Sequence, residues 1–534
     1  MAGMPVIRRR TVLVAGGALA LAACTASDDR TPGRVTPGTR RPAYHLTPPA
    51  HWMNDPQRPL FRDGQWHLYY LYNADFPHGN GTAWARAVSD DMVSWRPAGV
   101  AIPKYVDAWG DIESGSAVVD EQGAAGFGAG AVVAFATQQA DGVQRQSLFV
   151  SQDGGRTFVP VPGNPVLDNP GTTDFRDPKV IYDAAGERWV MVLAEGPRLG
   201  FYASTDLREW AYLSDFTTSD LGLLECPDLF EMCLDGDPNS RVWVLLASAN
   251  GAAEGRTTGT VYWTGTWADD TFVPDDHPHR WLDAGPDYYA TVTWSDPRES
   301  QDAQRARRYA LGWLNGWAYA AERSGTEWQG GSQSVVREIE LVTNLDEAPV
   351  LVSRPLSALR DLMADQPPSD PSRPGTASFH VDVDLEGATD SIELTLRGNA
   401  AAYLLRADPV TREIGVRRIP ATGPRDEAWE LEHVSRVPDG GSLSRLEIWV
   451  DAGVSPFSSG NCSARTAKMM PTAPCRISLA LASRPRLRCL EILMKSSRNP
   501  TSPIPTMRNS RIRADAEGPA DAGFSIHMMR CVSP

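Results

Sequence analysis

The sequence predicts an all-β protein, a five-bladed β-propeller followed by a C-terminal β-sandwich. Three observations carry this. Glycine and proline are dense, at 46 and 42 of 534 residues, tryptophan is unusually frequent at 17, and long helical periodicities are hard to find. A polar turn closing on an aromatic residue recurs roughly every fifty to sixty residues in the first two thirds of the chain. Beyond residue 375, Ser378 to Leu385 and Ser391 to Arg397 alternate apolar with polar, as half-buried antiparallel strands do.

The recurring turn is Ser89-Asp90-Asp91-Met92-Val93-Ser94-Trp95-Arg96-Pro97. It returns as Ser151-Gln152-Asp153-Gly154-Gly155-Arg156-Thr157-Phe158-Val159-Pro160, as Ser204-Thr205-Asp206-Leu207-Arg208-Glu209-Trp210, and more loosely as Asp269-Asp270-Thr271-Phe272-Val273-Pro274. The period suits one four-stranded propeller blade, and the roughly 310 residues from 43 onward then hold five. Chance recurrence of Asp-containing turns is the competing explanation.

The chain opens as an export signal. Arg8-Arg9-Arg10 precede a short apolar run, Val14 to Ala23, and then Cys24. The run is too short to span a bilayer, so residues 1–24 read as a signal. The arginines resemble a twin-arginine signal and Leu21-Ala22-Ala23-Cys24 a lipobox, which makes Cys24 the expected lipidation site. Cleavage near Ala23 without lipidation is the alternative. Either way the protein is expected outside the cytoplasm, anchored at the outer face of the cytoplasmic membrane or secreted. Residues 25–42, rich in Thr, Pro, Arg, Gly and Asp, read as a flexible tether, 43–350 as the propeller, 351–375 as a linker and 376–534 as the sandwich.

The formal net charge of −15 argues against nucleic acid or anionic lipid as the natural partner. Membrane contact is expected only through the lipid. An uncharged ligand held on aromatic faces fits the composition better.

The functional reading rests on three acids. His51-Trp52-Met53-Asn54-Asp55-Pro56 taken alone is an ordinary turn, since Asn, Asp and Pro are turn residues. Phe175-Arg176-Asp177-Pro178 and Glu225-Cys226-Pro227-Asp228 change that, because each again sets an acid within two residues of a proline, which favours extended geometry just before it. The acids are 122 (177 minus 55) and 48 (225 minus 177) residues apart. In a propeller the innermost strands converge on one axis, so acids at equivalent strand ends of different blades meet in one funnel.

These segments, with Glu113-Ser114-Gly115-Ser116-Ala117, Asp287-Tyr288-Tyr289-Ala290 and Gly312-Trp313-Leu314-Asn315-Gly316-Trp317, resemble in order and spacing glycoside hydrolase family 32, the fructan hydrolases and invertases. The resemblance implies the propeller-plus-sandwich fold and a retaining mechanism at the anomeric C2 of fructose, with no cofactor and no metal. It makes Asp55 the nucleophile, Glu225 the general acid/base and Asp177 a transition-state stabiliser. It places Asn54, Trp84, Ser114, Arg176 and Trp313 around the fructose. Core packing competes with that role for Trp84 and Trp313, and a structural ion pair with Asp177 competes for Arg176. Retaining chemistry itself asks for one ionised carboxylate and one protonated acid about 5 to 5.5 Å apart. The flanking Leu223-Leu224 and Cys226-Pro227 are expected to desolvate Glu225, and polar neighbours to keep Asp55 charged.

The chain departs from the common family pattern at Gln57-Arg58-Pro59, at Leu71, where a pocket glutamine is usual, and at Ala83-Trp84-Ala85-Arg86. These departures resemble bacterial enzymes acting on levan, the β-2,6 fructan. Levan fructotransferases tend to lose the asparagine that Asn54 retains, which favours hydrolysis over intramolecular transfer. Inulinase or invertase activity stays open, and a sugar-binding propeller without catalysis is the reading from a different class.

Cys226 and Cys233 are close enough in sequence to pair in an oxidising compartment, though Cys226 is equally a small apolar residue. His277 and His279 flank a proline and do not make a metal site by themselves. Residues 452–534 hold no Trp or Tyr but four of the seven Cys and six of the 13 Met, with 12 Lys/Arg against four Asp/Glu. The tail is thus +8 and the rest −23 (−15 minus 8). The change of character after Gly453 is expected from a shift of reading frame there, or from a basic extension.

Overall fold

A computed structural model describes residues 41–320, 328–344, 346–364, 379–397, 401–420, 427–436, 443–452, 476–484, 492–496 and 522–529. The readings made for residues 1–40, Cys24 among them, lie outside the described residues, as do those for 453–475. Among the described residues no helix is long and apolar enough to cross a membrane.

Five sheets follow one another along the chain. Blade 1 is His51–Arg62, Gln65–Asn73, Ala83–Ser89 and Arg96–Ile102. Blade 2 is Asp111–Asp120, Ala131–Ala140, Val143–Ser151 and Val159–Pro160; blade 3 is Arg176–Asp183, Arg188–Glu195, Arg198–Ser204 and Ala211–Thr217. Blade 4 is Leu224–Cys233, Arg241–Asn250, Thr258–Ala268 and Thr271–Pro274; blade 5 is Tyr289–Trp294, Arg308–Leu314, Arg337–Thr343 and Pro349–Pro355. Neighbouring strands within each are antiparallel, so one face of each sheet packs on the next blade. The apolar core accordingly lies in the seams: Trp84, Ile112 and Phe149 between blades 1 and 2, Phe135, Val180 and Trp189 between 2 and 3, Phe201, Leu229 and Val261 between 3 and 4. Phe230, Tyr288 and Leu341 fill the seam of blades 4 and 5, and Trp66, Trp294 and Tyr309 that of 5 and 1. The ring closes where Trp328–Gln329 runs parallel to His51 and Trp52, and Gln333 donates from Nε2 to the Asn54 carbonyl at 2.7 Å.

The repeated turn is the hairpin between the third and fourth strands of a blade. In blade 1 the Asp91 carboxylate accepts from Ser89 Oγ and from the N–H groups of Val93 and Ser94; Asp153 does the same for Ser151, Arg156 and Thr157, and Asp206 for Ser204, Arg208 and Glu209. One side chain satisfies several turn donors, which is why Ser-x-Asp recurs. Blade 4 uses a two-residue turn in its place, with Asp269 and Asp270 both at positive φ, the conformation that suits hairpin twist.

The propeller ends later than the sequence suggested. Residues 351–355, read as linker, are part of the outer strand of blade 5, pairing with Arg337–Thr343, and Ser357–Ala364 is a helix. The alternating Val350, Leu351 and Val352 bury on blade 5, an apolar content that the neighbouring prolines masked. The sandwich follows as two sheets. One is ordered Phe379–Asp384, Arg445–Ala452, Arg476–Arg484, Ala522–Met529; the other His433–Arg436, Glu413–Pro420, Ala401–Asp408, Ile392–Arg397, Ile492–Ser496. Buried polar contacts dock it on the propeller. Asp451 accepts the N–H groups of Ala43, Tyr44 and His45 and pairs with His45 Nδ1 at 2.8 Å, while Arg418 pairs with Asp287 at 2.8 Å.

Candidate active site

The innermost strand of every blade carries a register shift near its start, and the site is built on these five bulges. They fall at Met53/Pro56, Ile112/Gly115, between Arg176 and Lys179, at Glu225/Asp228 and at Tyr289/Val292. A bulge re-aims a side chain out of the alternating pattern. Proline was expected to hold the preceding residue extended, yet Asp177 and Cys226 stand at φ 61° and 46°, and Ala290 of blade 5 at 50°. The bulge wins over the proline. Left-handed backbone at non-glycine residues clusters where surrounding structure enforces it, commonly at functional sites. In blade 2, Gly115 serves the same end: a Cβ there would sit 1.9 Å from the Phe135 carbonyl oxygen.

Asp55, Asp177 and Glu225 are brought together at the axis. The Cys226 thiol lies between two of them, 3.8 Å from Asp55 Oδ2 and 3.6 Å from Asp177 Oδ2, and the Cys226 N–H donates to Asp177 Oδ2 at 2.9 Å. Cys226 and Cys233 are both free thiols, so the pairing considered for them is not made. Asp55 is held by Ser114 Oγ at 2.7 Å and by Asn54 Nδ2 at 3.1 Å, with Trp52 Nε1 fixing Asn54 in turn at 3.0 Å. Arg176 turns to Glu225, not to Asp177 as a structural pair would have it: Nε and a terminal nitrogen donate to Glu225 Oε1 at 3.3 and 3.2 Å, and its other end holds Asp174. The Tyr289 hydroxyl donates to Glu225 Oε2.

Trp84 and Trp313 are fully buried. The Trp84 indole N–H donates to the Glu113 carbonyl at 2.9 Å, and that of Trp313 to the Gly330 carbonyl. Trp84 packs in the seam of blades 1 and 2, and Trp313 packs against Trp52 and Trp317. The exposed aromatic face belongs to Trp317, 48% accessible, stacked against Trp52 at 6.4 Å, and Phe76 also packs on Trp52 at 4.8 Å. Leu71 is in the seam of blades 1 and 2.

Four further residues were given no site role from the sequence. Gln57 is buried and clamps the site, donating from Nε2 to the Asp55 carbonyl and to Ser114 Oγ while Oε1 accepts the Gly115 N–H at 2.7 Å. Gln144 bridges Glu113 to Arg176 and to the Phe175 N–H. Tyr289 and Glu113 complete the polar shell. The parity signal was present for Gln57, two residues after Asp55 and on the same face of an ordinary strand. The others depend on contacts between blades.

The electrostatics differ from expectation. Glu225 is only half-buried and shares its oxygens between Arg176 and Tyr289, because the flanking leucines point elsewhere: Leu224 is buried and Leu223 exposed. Burial falls instead on Asp55, pushed up to about 6 by desolvation and then by Glu225, against the pull of Ser114 and Asn54. Desolvation and Glu225 also lift Asp177 to about 7 despite Arg176. Glu113 rises to about 8 through desolvation and Asp177. A carboxyl whose folded-state value stands above its unfolded one favours the folded state while protonated. Stability contributed by these three is therefore fully present below about pH 4 and is lost as pH climbs through about 6, 7 and 8. The unliganded protein is expected to show a falling Tm from pH 5 to pH 8, and Glu113→Gln to flatten that fall. An unchanged slope in the variant would contradict the assignment.

The phenol of Tyr289 is a positioning group for Glu225. Tyr289→Phe is expected to lower kcat roughly 10–100-fold, through loss of the hydrogen bond that orients Glu225, with KM nearly constant. Equal loss in both parameters would place Tyr289 in substrate binding instead.

A propeller with three carboxylates converging at its axis, an arginine and a tyrosine on one of them and aromatic rings alongside, has the layout of a glycoside hydrolase site. The chain belongs to glycosyl hydrolase family 32: residues 45–355 match the description "Glycosyl hydrolases family 32 N-terminal domain". The levanbiose-producing levanase of Bacillus subtilis (strain 168) is 46% identical over 339 residues, a match that covers 63% of this chain and 64% of that protein. A levanbiose-producing levanase of Geobacillus stearothermophilus is 47% identical over 312 residues, covering 58% of this chain and 78% of that one. Among solved structures, the exo-inulinase of Aspergillus awamori superposes with a TM-score of 0.70 at 23% identity, covering 93% of this chain and all of that one, which is a likeness of fold.

Proposed function

We propose that this protein hydrolyses β-fructofuranosidic bonds of fructans, with levan, the β-2,6 polymer, as substrate, by retaining double displacement. The observation that carries the proposal is the convergence of Asp55, Asp177 and Glu225 around the Cys226 thiol, with Arg176 and Tyr289 on Glu225. Asp55 Oδ attacks C2 of the terminal fructosyl unit. Glu225 protonates the departing glycosidic oxygen, so the C2–O bond breaks as the C2–O(Asp55) bond forms. Water then attacks C2 with its proton passing to Glu225, and Asp55 leaves as carboxylate. Asp177, held by the Cys226 N–H, sits to bind fructose hydroxyls and to oppose the positive charge developing on the ring. Both named relatives are levanases, which supports levan over inulin and sucrose. Asn54 keeps its grip on Asp55, in line with hydrolysis.

Incubation of the purified protein with levan, inulin and sucrose separately tests the reading. Levanbiose or fructose released from levan, at a rate at least tenfold above the others, is expected. A cyclic difructose product would reassign it as a fructotransferase, and no product from folded protein would leave a binding module. We place the enzyme outside the cytoplasm on the Arg8-Arg9-Arg10 and Leu21-Ala22-Ala23-Cys24 segments. Cell fractionation of wild type and Cys24→Ala distinguishes anchored from secreted protein.

A further inference from the structure

Below the mouth of the site the inner strands change sign. Arg58 follows Asp55 by three residues, Lys179 follows Asp177 by two and Asp228 follows Glu225 by three. At about 3.3 Å per residue these positions lie roughly 7–10 Å deeper along the axis. Arg308 joins them from the second strand of blade 5. Lys179 Nζ pairs with Asp228 Oδ2 at 2.6 Å, and the same oxygen accepts the Thr293 N–H at 3.1 Å and hydroxyl at 2.8 Å. Arg308 donates to Thr293 Oγ1 at 3.0 Å and lies over the Phe230 ring. The Arg58 guanidinium has no hydrogen-bond partner among the described residues, and Asp228 is the one carboxylate acting on it.

Lys179 is buried and Arg58 and Arg308 are half-buried, so three cations share one carboxylate and two positive charges remain on the axis. The acids of the mouth stand roughly 7–10 Å away along the strands and make their own hydrogen bonds to Ser114, Asn54 and Cys226. Uncompensated buried charge is costly. Its mark is visible: burial first, with the neighbouring cations adding, pushes Lys179 down to about 8 and Arg308 down to about 10. Arginine does not relieve such a cost by losing its proton under ordinary conditions, so a counter-charge must come from outside the chain.

We propose that the propeller axis beneath the active site binds a small inorganic anion, of the chloride or phosphate kind, between Arg58, Lys179 and Arg308. The anion binds the folded chain only, because these residues come from blades 1, 3 and 5 and are distant in the unfolded one. It supports the ring without taking part in the chemistry at its mouth.

The test measures Tm of the full chain at constant ionic strength while gluconate is replaced stepwise by chloride and, in a second series, by phosphate. A saturable rise of about 2–4 °C is expected in wild type and no such rise in Arg58→Met. The series that saturates identifies the kind of anion. Crystals soaked in bromide are expected to show an anomalous peak in contact with Arg58 and Arg308, a measurement that needs no variant to fold. Equal rises in wild type and Arg58→Met, or bromide-soaked crystals without a peak on the axis, would overturn the proposal.

Discussion

Asp55→Ala is expected to lower kcat on levan roughly 10⁴-fold or more while leaving the fold intact, because it removes the nucleophile of the proposed double displacement. Asp55 is 9% exposed, and its carboxylate accepts from Ser114 and Asn54 and lies 3.8 Å from the Cys226 thiol. The variant is also expected to be more stable than wild type at pH 8, since it deletes a carboxylate that burial pushes up to about 6. Glu225→Gln is expected to cost about 10²–10⁴ in kcat on levan, and far less on an aryl fructoside whose leaving group needs no proton. That difference separates acid from nucleophile. Steady-state rates on both substrates, with circular dichroism as the check on folding, read it out. A Glu225→Gln deficit equal on both substrates would remove Glu225 from the acid's role.

The second large effect is at the seam between propeller and sandwich. Arg418→Ala is expected to destabilise the protein by about 3–5 kcal/mol, because it leaves Asp287 buried without its cation. Asp287 is fully buried and also accepts from the Tyr319 hydroxyl, whose ring lies under the Arg418 guanidinium. The double variant Arg418→Met/Asp287→Asn is expected to recover much of the loss, since no charge is then stranded. Asp287 stands two residues before Tyr289, so the single variant is expected to lower kcat as well, by loosening the strand end that presents the phenol to Glu225. Urea midpoints give the stability difference, and a loss under 1 kcal/mol would show that the pair does not dock the domains. The identity of this contact explains why Asp287 stands in a block that otherwise reads as active-site sequence: it holds that block to the second domain.

The repeat was legible because one local device, an Asp carboxylate gathering turn N–H groups, is written contiguously in Ser89–Asp91, Ser151–Asp153 and Ser204–Asp206. The three carboxylates were legible because motif order survives in a chain whatever the geometry between motifs. What contiguous sequence does not carry is packing across blades. The partner of Arg176 is decided by where blade 4 sets Glu225, and the exposure of Trp317 over Trp313 by how their loop crosses Trp52. The burial expected for Glu225 falls on Asp55 for the same reason. Apolar neighbours in sequence do not surround a strand residue, whose side chain points away from theirs, whereas Asp55 is enclosed by blades 2 and 4. The bulges were illegible because no glycine marks Asp177 or Cys226, and surrounding structure alone imposes their positive φ.

The account stands on one covalent event, attack of Asp55 on C2 followed by a second displacement on the same centre. Turnover of levan in aqueous methanol captures the second step as a stable fructoside, whose methyl group blocks mutarotation, and the configuration at C2 is read by nuclear magnetic resonance. A methyl β-fructofuranoside, of fructose or of levanbiose, absent with Asp55→Ala, is the predicted product. Methyl α-D-fructofuranoside would mean a single displacement by solvent, and with it Asp55 would be a base and not the nucleophile.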